Sequence, residues 1–297
     1  MSVNGPFTSP RPSPLTPRPS LQLGRFSLSL ERPLIMGIVN ITPDSFSDGG
    51  RFFECGRALD HARQLLEEGA DILDIGGESS RPGAQPVAAD EELRRVLPVL
   101  EKLVELPVPV SVDTSKPEVM RRAIAAGASM INDIAALREE GALDAVSTST
   151  VAVCLMHMQG EPRTMQQAPQ YRDVVTEVET FLANRAAAAV AAGVERNRIV
   201  LDPGIGFGKT PQHNLELIRA LPRLRDAGYP LLAGLSRKAL FGKIVGREGG
   251  QRVYASAAGA LLAAQRGASI VRVHDVAATR DCLLVLRAID DTSFSFS

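Results

Sequence analysis

The 297-residue chain contains no tryptophan, and aromatic residues make up only 4% of it. So few rings argue against a base-stacking surface for nucleic acid. Net charge is also nearly absent: 33 Lys and Arg against 34 Asp and Glu leave −1. Without a basic footprint there is no electrostatic case for a nucleic-acid or anionic-membrane partner. No apolar run approaches the roughly 20 residues that cross a bilayer, so no membrane role is expected. Cysteine is scarce. Cys55, Cys154 and Cys282 are isolated, which gives neither a disulfide framework nor a CxxC pair. Together with the lack of a basic segment followed by an apolar one at the start, this leads to the expectation of a cytoplasmic protein. What the chain does have is aliphatic residues: the hydrophobic fraction is 44%, enough to offset the ordering entropy of a folded core.

The chain is not uniform. Pro6, Pro10, Pro12, Pro14, Pro17 and Pro19 crowd the first segment. Proline at that density blocks helix and sheet ladders, so residues 1–20 are expected to form a disordered extension and 21–297 a single domain. Residues 21–30 (LQLGRFSLSL) alternate apolar and polar, the period of a half-buried strand or hairpin. From there, short apolar runs recur at 33–40, 70–77, 108–113, 128–134, 151–157, 198–204, 230–236 and 268–275. Helix-compatible stretches lie between them, for example at 55–69, 91–105 and 177–192. Gly69, Gly127, Gly193, Gly228 and Gly267 each stand shortly before a run, where a helix needs a left-handed stop. Eight such βα units in about 250 residues predict a TIM (β/α)8 barrel rather than an open doubly wound sheet. The one glycine-rich candidate, PGIGFGK at 203–209, has neither the GxGxxG nor the GxxxxGK[ST] spacing.

In a barrel, the C-terminal strand ends face one mouth. Here those ends carry Asn40, Glu78 to Arg81, Asp113, Asn132, His157, Asp202, Lys238, Arg272 and His274. A lone Asp after a strand is often just a helix cap, but polar groups at every strand end are harder to explain that way. Asp113, Asp202 and Asn132 offer the paired acceptors and donors that grip a flat heterocycle. Lys238, Arg272 and His274 come from the seventh and eighth units, where barrels bind phosphate. Asn40 offers an amide oxygen to Mg²⁺. The composite suggests a heterocyclic diphosphate activated for displacement, whereas no HExxH motif or His cluster suggests catalytic zinc. His157 reads as structural.

The segments NITPDSFSDGG (40–50), GGESSRPGA (76–84), SVDTSKPEV (111–119), IND (131–133), MHMQGEPRTMQ (156–166), LDPGIGFGK (201–209), LSRK (235–238) and RVHD (272–275) resemble the dihydropteroate synthase family, in the family's order. The resemblance implies a transferase of folate biosynthesis. Such an enzyme joins p-aminobenzoate to 6-hydroxymethyl-7,8-dihydropterin diphosphate, giving 7,8-dihydropteroate and pyrophosphate. Carried over by motif, Asp113, Asn132, Asp202 and Lys238 would hold the pterin. Asn40 with Mg²⁺, Ser80, Arg272 and His274 would hold the diphosphate. Arg81, Pro82, Phe207, Lys238 and Ala239 would lie by the benzoate. Asp44 and Asp113 would flank the cation of a dissociative, SN1-like displacement.

Ser80 stands where many members have Thr, and Ala239 where many have Ser. The resemblance also implies a homodimer packed through outer helices. The long loops at 42–51 and 78–88 are expected to close over the mouth, with Phe46, Pro82 and Phe207 completing the benzoate pocket. The competing readings are a barrel that presents methyltetrahydrofolate to a cobalamin protein, and a non-catalytic paralogue. TPDSFSDGG, SSRPGA and LSRK argue against the first; retention of Asn40, Asp113, Lys238, Arg272 and His274 argues against the second.

Overall fold

Each of the eight apolar runs forms a strand in the computed structural model, which describes residues 20–41, 50–79, 83–247 and 249–292. The strands are β3 (Leu34–Asn40), β4 (Ile72–Gly76), β5 (Val110–Asp113), β6 (Met130–Asp133), β7 (Ala152–Met156), β8 (Ile199–Asp202), β9 (Leu232–Gly234) and β10 (Ile270–Val273). They are preceded by β1 (Ser20–Leu23) and β2 (Phe26–Ser29). The eight lie parallel in the order β8-β7-β6-β5-β4-β3-β10-β9. A parallel bridge between Leu201 and Leu231 joins β8 to β9, and the Leu201 N–H donates to the Pro230 carbonyl at 2.9 Å. The sheet therefore closes on itself. The described part of the chain is an α/β fold of the (β/α)8 TIM-barrel type.

Helices cover the outside: α1 (Gly50–Glu68), α2 (Ala89–Leu103), α3 (Pro117–Ala125), α4 (Ala142–Ser147) and α5 (Val174–Ala191), followed by α6 (Pro211–Arg219), α7 (Leu221–Arg225), α8 (Ala239–Val245), α9 (Val253–Gln265) and α10 (Val276–Asp290). The five glycines expected to stop helices all have positive φ, from +77° to +104°, a region that costs any side chain with a Cβ. No described helix is long and apolar enough to cross a membrane.

The pleat sorts the strand residues into two cores. One alternation (Ile35, Val39, Leu73, Ile75, Val112, Leu155, Leu201, Val271) packs outward against the helices. The other (Leu34, Met36, Ile72, Met130, Cys154, Val200, Leu232, Ile270) fills the barrel interior. Strands buried on both faces must be apolar on both, which is why they read as unbroken runs in the sequence.

The hairpin predicted at 21–30 forms as β1 and β2, paired from Ser20–Ser29 to Leu23–Phe26. Its two-residue turn begins at Gly24 (φ +56°), and Leu21 and Leu23 are wholly buried in the interior core. The hairpin closes the N-terminal end of the barrel, leaving the other end open.

Candidate active site

Following the inward alternation up five of the strands, β3, β5, β6, β8 and β10, leads to polar residues at the mouth. Met36 is succeeded by Ile38 and Asn40, Ser111 by Asp113, and Met130 by Asn132. On the far side Val200 is succeeded by Asp202, and Ile270 by Arg272 and His274. A cleft of about 980 Å³ opens over this layer, lined among others by Asn40, Asp113, Asn132, Asp202, Phe207 and Lys238. Ala239, Arg272 and His274 line it as well. The period-2 geometry of a strand gathers onto one surface residues that are up to 234 positions apart in sequence, as Asn40 and His274 are.

Arg272 is the hub of the floor. Its Nε donates to Asp74 Oδ2 at 2.6 Å, and its Nη2 donates to Asp113 Oδ2 at 2.7 Å. Asn132 Nδ2 donates to the same Asp74 oxygen at 3.2 Å. Burial works against the Arg272 charge, but Asp74 and Asp113 outweigh it and hold the guanidinium's pKa above its ordinary value. Burial pushes the Asp113 carboxyl up from 3.8 to about 7, with Arg272 pulling the other way and Asp74 adding to the rise. Asp202, also buried, is raised by desolvation, partly offset by the Gly204 N–H, which donates to it at 2.7 Å, and by Lys238. Lys238 is lowered by burial to about 8, against the pull of Asp202. Its Nζ lies 4.2 Å from the centre of the Phe207 ring, a cation–π contact.

The loop after β8 hangs on a buried lysine. Lys209, 2% exposed, places Nζ 2.9 Å from His157 Nδ1 and donates to the Gly204 carbonyl at 3.0 Å and the Phe207 carbonyl at 2.9 Å. Burial lowers Lys209 to about 7 and, with the nearby Lys209 charge, His157 to about 3, so His157 is neutral near pH 7. His157 packs edge-on against Phe181 at 4.9 Å and does not line the cleft. Gly204 has no alternative here. A Cβ at that position, where φ is +66°, would sit 1.9 Å from the His157 carbonyl oxygen.

After β9 the chain passes through Arg237 with φ +55°, a strained value for a residue with a side chain. Arg237 is held there by Asp275 at 2.6 and 3.1 Å, and its N–H donates to Ser256 Oγ at 2.9 Å. The turn leaves both neighbours, Ser236 and Lys238, on the cleft wall. Ser236 Oγ accepts from the His274 N–H at 3.1 Å and lies 3.0 Å from its Nδ1.

Asp44, Phe46, Ser80, Arg81 and Pro82 lie outside the described residues. The expectation of Mg²⁺ at Asn40 is corrected. Among the described residues, no group of three or more His, Cys, Asp or Glu side chains could hold a metal ion. Asp113 and Asp74, the carboxylates on the same floor, are paired with Arg272. Asn40 itself brings one neutral oxygen, short of what a hard divalent cation needs from its protein ligands. The sequence reading also missed Asp74, Lys209 and Ser236. A signal for Asp74 was present, since a charged residue at the centre of the apolar run ILDIG belongs to the inward alternation of β4.

A closed parallel barrel with its polar side chains gathered at one mouth defines this protein as a TIM-barrel enzyme. The family profile described as "Pterin binding enzyme" matches residues 36–274. The dihydropteroate synthase of Neisseria meningitidis serogroup C is 52% identical over 273 residues, covering 90% of this chain and 96% of the relative. Among solved structures, Xanthomonas albilineans dihydropteroate synthase with 4-aminobenzoic acid is 56% identical. It has a TM-score of 0.87 over 93% of this chain and 99% of that one. The same enzyme in complex with 7,8-dihydropteroate aligns with a TM-score of 0.82 and 50% identity over 92% and 99%. The chain belongs to the pterin-binding enzyme family and, within it, to the dihydropteroate synthases.

Proposed function

We propose that the barrel mouth joins p-aminobenzoate to 6-hydroxymethyl-7,8-dihydropterin diphosphate, releasing pyrophosphate and 7,8-dihydropteroate. The observation that carries this reading is the convergence of Asp113, Asn132, Asp202, Lys238, Arg272 and His274 on one cleft. It is supported by family membership and by relatives solved with 4-aminobenzoic acid and with 7,8-dihydropteroate.

In this reading Asp113, Asp202 and Asn132 take the donor and acceptor edge of the pterin, and Lys238 binds beside them. Arg272 and His274 receive the diphosphate with Asn40 and Ser80 nearby, while Arg81, Pro82, Phe207 and Ala239 border the benzoate. The C–O bond to the diphosphate breaks first, and its electron pair leaves with pyrophosphate. The resulting cation is shared with the electron-rich pterin ring and faces Asp113 and Asp44. Fixed charges aimed at the departing anion stabilise this step most, because they need no reorganisation as charge develops. The amine lone pair of p-aminobenzoate then forms the C–N bond, and the nitrogen gives its extra proton to solvent. No general base is required for attack, since the aniline is already neutral. The decisive assay is pyrophosphate release that depends on added p-aminobenzoate; release at the same rate without it would refute the reading.

The enzyme is proposed to act as a cytoplasmic homodimer whose catalytic domain begins at the hairpin. The thiols of Cys55, Cys154 and Cys282 are free. Leu262 on α9 and Leu284, Val285 and Ile289 on α10 are exposed apolar side chains on adjacent outer helices, a patch that a second copy would cover. Sedimentation equilibrium tests this, and a monomer at micromolar concentration would refute it.

A further inference from the structure

We propose that Asp74 is a positioning residue for the pterin site, acting through Arg272 and Asn132. The inference deepens the reading above and rests on it. Asp74 lies one pleat below Gly76 in β4; Gly76 lines the cleft and Asp74 does not. Its side chain is fully buried in the barrel interior. One oxygen, Oδ2, takes the Arg272 Nε donor at 2.6 Å and the Asn132 amide donor at 3.2 Å. A single carboxylate thus sets the orientation of two cleft side chains from two other strands, β10 and β6.

The arrangement has directional consequences. With Nε tied down to Asp74, the Arg272 guanidinium plane is fixed so that Nη2 meets Asp113 at the cleft surface. A guanidinium is planar with its donors in a rigid fork, so locking one edge locks the other. For Asn132, donating its NH₂ downward to Asp74 leaves the carboxamide oxygen as the group turned away from that bond. An amide free to flip would present donor and acceptor interchangeably and would discriminate poorly. Asp74 removes that ambiguity.

The second Asp74 oxygen, Oδ1, is buried and has no hydrogen-bond partner among the described residues. A buried carboxylate with an unpaired oxygen carries a desolvation cost that its bond to Arg272 only partly returns, so apolar side chains in place of the Asp74–Arg272 pair as a whole would pack at less cost. Its presence is accounted for by the orientation it imposes. Asp74 also adds to the negative field on Asp113, alongside Glu92 from α2 and Asp133 from β6, while Arg272 opposes them and Lys238 lies across the cleft. Loss of the Asp74 charge should therefore let Asp113 ionise at lower pH.

Asp74→Asn in the full chain tests the proposal. Pterin diphosphate binding by calorimetry is expected to weaken by about 10-fold or more, because a charge-assisted bond that holds the site is lost. The KM for p-aminobenzoate should stay the same, and the pH below which pterin affinity falls should move downward. The thermal midpoint should fall, because the buried Arg272 guanidinium loses the charge of one of its two carboxylate partners. A folded variant with wild-type pterin affinity and an unmoved pH profile would overturn the proposal. Should Asp74→Asn not fold, Asp74→Ser, which leaves room for water beside Nε, is measured in the same way. Failure of both to fold would overturn the assignment in favour of a scaffold role. A wild-type chain that bound no pterin diphosphate would overturn the functional reading itself, a result distinct from either.

Discussion

Asp113 and Lys238 face the same cleft with pKa values displaced toward each other, and the displacement has a working consequence. Burial holds the Asp113 carboxyl up near 7 and the Lys238 ammonium down near 8. Binding a pterin through donated N–H groups needs Asp113 ionised, which is favoured as pH rises through about 7. A charged Lys238 is lost as pH rises through about 8. The kcat/KM profile for the pterin substrate is therefore expected to be a narrow bell with limbs near those two values. In Asp113→Asn the acid limb should disappear from a much weaker profile. Folding stability runs the opposite way for Asp113. The folded chain holds that proton more tightly than the unfolded chain, so this group's contribution is greatest at acid pH and is lost between 3.8 and about 7. Lys238→Ala should lower kcat/KM for the pterin substrate by on the order of 100-fold, as expected for removal of a charged donor beside the bound pterin. Circular dichroism should show the fold intact, because Lys238 sits on the cleft wall and not in the core. At this scale the cleft residues were legible, because polar side chains at strand ends stand out against apolar runs. Lys209 was not: its role depends on carbonyls of Gly204 and Phe207 and on His157, a partner 52 positions away.

Among the elements, the loop after β8 and the N-terminal hairpin carry the most testable structure. Lys209 supplies donors to two carbonyls of its own loop and to the His157 ring under it. Lys209→Met would leave those buried acceptors unpaired, with an expected loss of about 1–3 kcal/mol in urea unfolding. Because the same loop carries Phe207, the KM for p-aminobenzoate should rise in that variant. The hairpin β1–β2 acts as a plug. Leu23 is fully buried among strand residues of the barrel interior, so Leu23→Ala should cost about 2–5 kcal/mol in the same measurement while leaving KM values unchanged. The strands themselves followed from the sequence because each combines a short apolar run with a flanking turn signal. The hairpin followed from its alternation. Its destination inside the barrel did not, since a period-2 pattern shows that one face is buried but not against what.

For the whole molecule, the described fold begins at Ser20, one residue before the expected start of the domain, where Ser20 pairs with Ser29. The proline-rich residues 1–19 lie outside the described residues, and the proposal of a domain starting at the hairpin makes them dispensable. Deleting 1–19 is expected to leave both the thermal midpoint and turnover within error of the full chain. A loss of either would place part of that segment in the domain or its dimer contact.

The number of βα units, their order, the glycine stops and the polar strand ends were all written in the sequence alone, because each is a local pattern set by backbone periodicity and φ preference. Closure was expected from the count of eight units, but the contact that makes it was decided only in three dimensions: the Leu201–Leu231 bridge joins strands at the two edges of the sheet, and no local pattern encodes it. The same holds for the floor of the site. Asp74, Asn132 and Arg272 are 58 and 198 positions apart when counted from Asp74, and one shared carboxylate oxygen unites them. Coordination to Mg²⁺ was an expectation drawn from residue type at Asn40, and the tertiary arrangement overturned it by committing the nearby carboxylates to Arg272. Residue type shows which charges a chain carries; only packing decides which of them neutralise one another and which remain for a ligand.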